Sequence, residues 1–111
     1  MRRGEIWTIS GGSYGGKPRP GIIIQDDSLN ELSSVTVIPL TSQTSELGRI
    51  RVSILLDSPS GVSIESFAQV DKITTLKSSN VSKRIGALTL PEMRAVERSL
   101  LNHLGIGSAR S

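Results

Sequence analysis

From Glu5 to Leu88 the aliphatic and β-branched residues come in short runs spaced about ten residues apart, and a helical period replaces them only after Thr89. Runs of this length bury little alone. Paired edge to edge and closed by one helix, they predict a mainly β chain, a small barrel-like sheet with a C-terminal α-helix. The 111 residues suffice for one core and leave no room for a second, so a single domain over 1–111 is expected, with a loose tail over 106–111.

The run around which the others are read is Lys17-Pro18-Arg19-Pro20-Gly21-Ile22-Ile23-Ile24-Gln25. Three consecutive isoleucines predict a strand over Gly21–Gln25 buried on both faces. Each proline fixes its own φ and pushes the residue before it out of the helical region. Arg19 is therefore offered by a stiff, extended segment at the mouth of that strand. The upstream stretch Ser10–Lys17 is loose and glycine-rich, and a mobile loop followed by a fixed cation suits a phosphate chain. The alternative is a hairpin loop with a solvated arginine.

Other strands are expected at Gly4–Ile9, Ser34–Thr41, Arg49–Leu56, Val62–Val70 and Lys72–Leu76, with a kink at Gln69–Asp71. Pro39 lacks a ladder donor, which predicts an edge or a bulge there. Asp26–Glu31 reads as a polar turn with one helical turn capped by Asp27 or Ser28. In the fourth run Ile50, Val52, Ile54 and Leu56 point one way and Arg49, Arg51 and Ser53 the other. Lys77–Ser82 carries no core pattern and reads as a connection, followed by a short Arg84–Leu88 piece. Thr89-Leu90-Pro91-Glu92 is a capping box with proline in the first turn. Met93, Val96, Leu100 and Leu104 then form one apolar stripe, with Gly105 as the stop. His103 falls in the last turn, where a cation suits the helix dipole.

Composition removes several classes of function. Thirteen Lys and Arg against ten Asp and Glu give a net charge of +3, mildly basic and compatible with a polyanion. There is no cysteine and one histidine, His103, so thiolate metal sites, disulfides and His-pair chemistry within one chain are excluded and a cytoplasmic location is expected. No apolar run reaches membrane-spanning length. Trp7, Tyr14 and Phe67 are the only aromatic residues, too few for an RNA-binding sheet built on stacked rings. The glycines at 11, 12, 15 and 16 fit neither a dinucleotide fingerprint nor a Walker loop.

Four segments together resemble the MazF/PemK/Kid family of toxin endoribonucleases. They are Arg3-Gly4-Glu5-Ile6-Trp7, Pro18-Arg19-Pro20 before an apolar strand, Val37-Ile38-Pro39-Leu40-Thr41-Ser42, and Arg84–Leu88 with the terminal helix. The resemblance implies an SH3-like small β-barrel of the MazF/CcdB type, usually a homodimer, that cuts single-stranded RNA (mRNA, or rRNA or tRNA) at short sequences without metal or other cofactor. It implies as partner a cognate antitoxin whose disordered acidic tail covers the RNA groove. The family's catalytic pair carries over to Arg19 and Thr41. Two departures stand out: Ser10–Lys17 holds no acidic residue where many relatives have one, and Gln69-Val70-Asp71-Lys72-Ile73 replaces the common Gln-x-Arg-Thr-Ile. In a strand, that shift moves the basic charge to the opposite face.

Metal-free cutting uses the ribose 2′-hydroxyl as internal nucleophile. Arg19 suits the phosphorane oxygens, because its planar fork stays charged. Thr41 could donate to the same oxygens, and such a donor is typically worth about 10²–10³ in rate. No residue is an evident general base; Glu65, placed on the fifth strand, is the one carboxylate nominated. Tyr14, Lys17, Ser42 and Gln43 are expected to line the groove by stacking, charge or base-edge hydrogen bonds. Two other readings remain open at this level: a CcdB-like toxin that poisons DNA gyrase without cutting RNA, and a non-catalytic SH3-like nucleic-acid-binding module.

Overall fold

In the computed structural model, which describes residues 1–11, 17–30, 33–42, 51–54 and 59–107, β3 (Ser34–Thr41) is the hub of the sheet. Before it come β1 (Glu5–Ile9) and β2 (Arg19–Ile23); after it come β4 (Arg51–Ile54), β5 (Ser66–Gln69), β6 (Thr74–Lys77) and β7 (Val81–Ala87), then α1 (Leu90–Leu104). The strand order is β4-β5-β3-β2-β1-β7, with β6 also on β3. The sheet curls into a half-barrel with the helix at its C-terminal end, as the sequence predicts.

β3 pairs with β2 through Val37–Pro39 on one edge. Its other edge is shared: Ser34–Val37 pair with β6, and Leu40–Thr41 with β5. Pro39 stands in the gap between those two partners, where a missing N–H interrupts no ladder. The expected edge is thus a local one inside a central strand.

The isoleucine run is buried on both faces. Ile22 and Ile24 join one apolar cluster with Ile6, Ile38, Leu40 and Val96, while Ile23 joins a second with Ile9, Val35 and Val37. The period of two along a strand separates the clusters, and β2 is the wall between them. Gly21 is required by this packing, since a Cβ there would lie 2.8 Å from Ile9 Cδ1.

Several bounds differ from expectation. β2 begins at Arg19, because Ile9 and Thr8 pair with Arg19 and Pro20. The expected fifth strand is reduced to Ser66–Gln69, the chain from Pro59 to Glu65 being turns and irregular backbone. Val70–Lys72 forms a 3-10 turn and β6 starts at Thr74. The expected connection at Lys77–Ser82 is a 3-10 turn, Ser78–Asn80, followed by the start of a seven-residue strand at Val81. Its alternation is broken by register shifts in the β1–β7 pairing around Trp7, as at bulges, which hid it from a period-two reading. The cap of Asp27–Leu29 is Asp26, one residue earlier than expected, its carboxylate accepting from Ser28 N. Of the fourth run, Ile50 and Leu56 lie outside the described residues; Val52 and Ile54 pack into the first cluster.

α1 opens as expected. Thr89 N donates to Glu92 Oε1 at 2.8 Å, and Glu92 N donates back to Thr89 Oγ1 at 3.3 Å. Met93, Val96 and Leu100 pack on the core, but Leu104 is 52 % exposed because the last turn runs beyond the cluster. Glu97, off the apolar stripe, accepts from Arg3 Nη1 at 2.6 Å and ties the first residues to the helix. Gly105 ends the helix in the left-handed region.

Candidate active site

The three strand ends that meet at one end of β3 create a cleft of about 630 Å³. Arg19 opens β2 and Thr41 closes β3; the two strands pair as far as Gly21–Pro39, and each of these residues lies two positions beyond that pair on its own strand. Both line the cleft, with Ser42 directly after Thr41. Arg19 is exposed and Thr41 half-buried, as suits a cation reaching for solvent and a hydroxyl held in the wall.

The opposite wall was not foreseen from sequence. Gly61, Val62, Ser63, Ile64 and Ser66 line it, and Ile85 of β7 lies behind. This segment is seated on β7: Ala87 N donates to Pro59 O at 2.8 Å. A Cβ on Gly61 would run into the Ile85 carbonyl oxygen, and one on Gly86 into the carbonyls of Pro59 and Ser60. Gly61 also has a φ of +76°, which other residues rarely adopt. Two glycines therefore permit the close approach of wall and strand. The serines give the wall hydroxyl donors, and Ile64, 60 % exposed, gives it an apolar surface.

The remaining predicted site residues divide. Ser42 lines the cleft, while Lys17 is exposed and outside the lining. Tyr14 and Gln43 lie outside the described residues. Glu65 is exposed and precedes β5 rather than sitting on it; it falls between the lining residues Ile64 and Ser66 without lining the cleft itself. Its nomination as base has no geometric support.

Gln69, at the end of β5, was read only as part of a motif. It lines this cleft and also a second one, of about 490 Å³, which shares Arg19 as well. Asp71 and Lys72 line that second cleft. The displaced basic charge is therefore not turned to the opposite face of a strand: Val70–Lys72 is a 3-10 turn, so the alternation of a strand does not apply.

Away from the clefts, Glu5 anchors β1 to β7. Burial alone would raise its carboxyl, but hydrogen bonds from Arg2 N and Trp7 Nε1 and the Arg84 guanidinium at 2.8 Å outweigh that and hold it at about 2. Among the described residues no helix is long and apolar enough to cross a membrane. Among them, too, no group of three or more His, Asp or Glu could hold a metal ion.

Residues 2–104 match a family described as PemK-like, MazF-like toxin of type II toxin-antitoxin system. The chain is 41 % identical over 107 residues to "Probable endoribonuclease MazF" of Mycolicibacterium smegmatis, covering 96 % of this chain and 98 % of that one. It is 26 % identical over 118 residues to "Endoribonuclease MazF9" of Mycobacterium tuberculosis, covering 97 % and 99 %. Among solved structures, a mycobacterial endoribonuclease in complex with its cognate antitoxin superposes with a TM-score of 0.82 at 19 % identity, over 96 % of this chain and 97 % of that one.

Proposed function

The chain belongs to the PemK-like, MazF-like toxins of type II toxin–antitoxin systems, and on that premise we propose that its larger cleft cuts single-stranded RNA at a phosphate held by Arg19 and Thr41. The protein is a toxin endoribonuclease, and its partner is a cognate antitoxin. The observation that carries the site is the pair itself: a guanidinium and a hydroxyl, from the ends of adjacent strands, lining one cleft.

The ribose 2′-oxygen attacks the adjacent phosphorus and loses its proton. The P–O5′ bond breaks, and the departing oxygen takes up a proton. The products are a 2′,3′-cyclic phosphate and a 5′-hydroxyl. Arg19 meets two phosphorane oxygens with its fork, and Thr41 Oγ1 donates to the same developing charge. Ser42 and the serines of the opposite wall hold the strand in place by hydrogen bonds.

Long single-stranded RNA incubated with the protein in EDTA should be cut and carry these termini. Products with 5′-phosphates, or activity abolished by EDTA, would overturn the internal-hydroxyl mechanism. No cutting together with inhibited DNA gyrase would move the protein to the CcdB-type reading, which nothing observed in the cleft favours. The antitoxin's acidic, flexible segment takes the same positively charged groove, ordering as it binds. RNA and such a peptide should exclude each other, and simultaneous binding would contradict a shared groove. The homodimer that the family resemblance implies is part of this proposal, and sedimentation equilibrium tests it.

A further inference from the structure

Arg19 and Gln69 stand on the partition between two clefts, only one of which contains Thr41. A polymer whose reacting phosphate sits on Arg19 leaves that residue in both directions, and the second cleft receives it on one of them. We propose that the second cleft is a subsite for the nucleotide next to the cut, where the Lys72 ammonium holds that nucleotide's phosphate and the Gln69 amide meets its base. This rests on the RNA-cutting reading above and deepens it.

The cleft is built rather than incidental. Val70, between Gln69 and Lys72, is completely buried in the first core cluster, and Ile73 packs against the same cluster. Ile73 N donates to Val70 O at 3.3 Å and closes the turn. Gln69 is the residue that leads from β5 into the turn, and Lys72 is the turn's last residue. Both line the second cleft, which puts an amide and an ammonium in one cleft, on a backbone anchored through Val70 and Ile73.

Charge and chemistry agree with the assignment. The lining carries two cations, Arg19 and Lys72, against one carboxylate, Asp71, whose Oδ1 is shielded from solvent. Lys72 is exposed, and an ammonium on a flexible stem suits a phosphate that need only be held, not stabilised in a transition state. A glutamine amide offers one donor and one acceptor edge, the pattern that base edges of a single strand can match.

The test uses the whole protein and RNA oligomers made uncleavable by a 2′-deoxy sugar at the cut. For Lys72→Gln the log–log salt dependence of binding should flatten by roughly 0.7, the loss of one phosphate contact, and Lys72→Arg should restore it. Two shorter oligomers, one lacking nucleotides 5′ of the cut and one lacking those 3′ of it, locate the subsite. Lys72→Gln should weaken one of them and bind the other like the parent. An unchanged salt slope, or equal weakening of both, would overturn the subsite. A parent protein that cuts RNA while Lys72→Gln binds as the parent does defeats this inference alone. A parent that neither binds nor cuts RNA defeats the proposed function and the subsite with it. Parallel melting curves separate loss of contact from loss of fold, and Lys72→Ala serves as the second variant.

Discussion

Arg19 faces Ile9 across the β1–β2 ladder. The guanidinium therefore grows from a paired strand end, with Ile9 completely buried beneath the sheet, and its Cα is fixed before any ligand arrives. The backbone that carries this arginine is thus already ordered, and only its side-chain rotamers remain to be fixed by a ligand.

Arg19→Lys should keep most RNA affinity, one charge having been retained, yet lose about 10²-fold in cutting rate, since an ammonium offers no fork for two oxygens. Arg19→Ala should lose rate and affinity together. Rates measured at saturating RNA decide the matter. A lysine variant as fast as the parent would show that charge alone suffices.

Thr41→Val keeps the branched shape paired opposite Phe67 and removes only the hydroxyl. The melting temperature should stay close to the parent's, while single-turnover cutting falls by about 10²-fold. Undiminished cutting by a folded variant would remove Thr41 from the site.

Glu5 predicts an acid limit to stability. Its carboxyl is held at about 2 in the folded chain against an ordinary 4.5, so its contribution is complete above the ordinary value. It is lost as pH falls from there towards the folded value. The amount is on the order of 2 kcal/mol, reduced by the solvent around Arg84. Glu5→Gln should be less stable than the parent near neutrality and lose less on acidification to pH 3. Denaturant midpoints at the two pH values measure this, and parallel losses in both proteins would contradict it.

Gly61→Ala should cost about 1–3 kcal/mol through its positive φ, with a further penalty from the Ile85 carbonyl. Because Gly61 lines the cleft, cutting should fall even at temperatures where the variant is folded. Retained activity with lowered stability would show that the wall is dispensable.

How much of this was open to a reader of the sequence depends on how local each cause is. The capping box at Thr89–Glu92 and the doubly buried Ile22–Ile24 declare themselves within a few residues, and both stand where the pattern puts them. Arg19 and Thr41 could be paired only by resemblance, since 21 positions of chain separate residues that the fold brings to one cleft. The wall at Gly61–Ser66 was missed because its shape comes from contact with β7, not from its own pattern; Gly86, breaking a run of larger residues, was the one signal. Lys72 was misplaced because a strand was assumed where the buried Val70 begins a turn.

The pairing of β1 with β7, Glu5 with Ala87, bears on when this protein becomes dangerous to the cell that makes it. Synthesis proceeds from the N-terminus, so Arg19 and Thr41 leave the ribosome well before β7 exists. Without Ile85 and Gly86 the wall at Gly61 has no seat, and the cleft lacks one side. On the proposed reading, a nascent chain thus carries Arg19 and Thr41 in an unfinished groove, which is completed only once β7 has been made and has paired with β1.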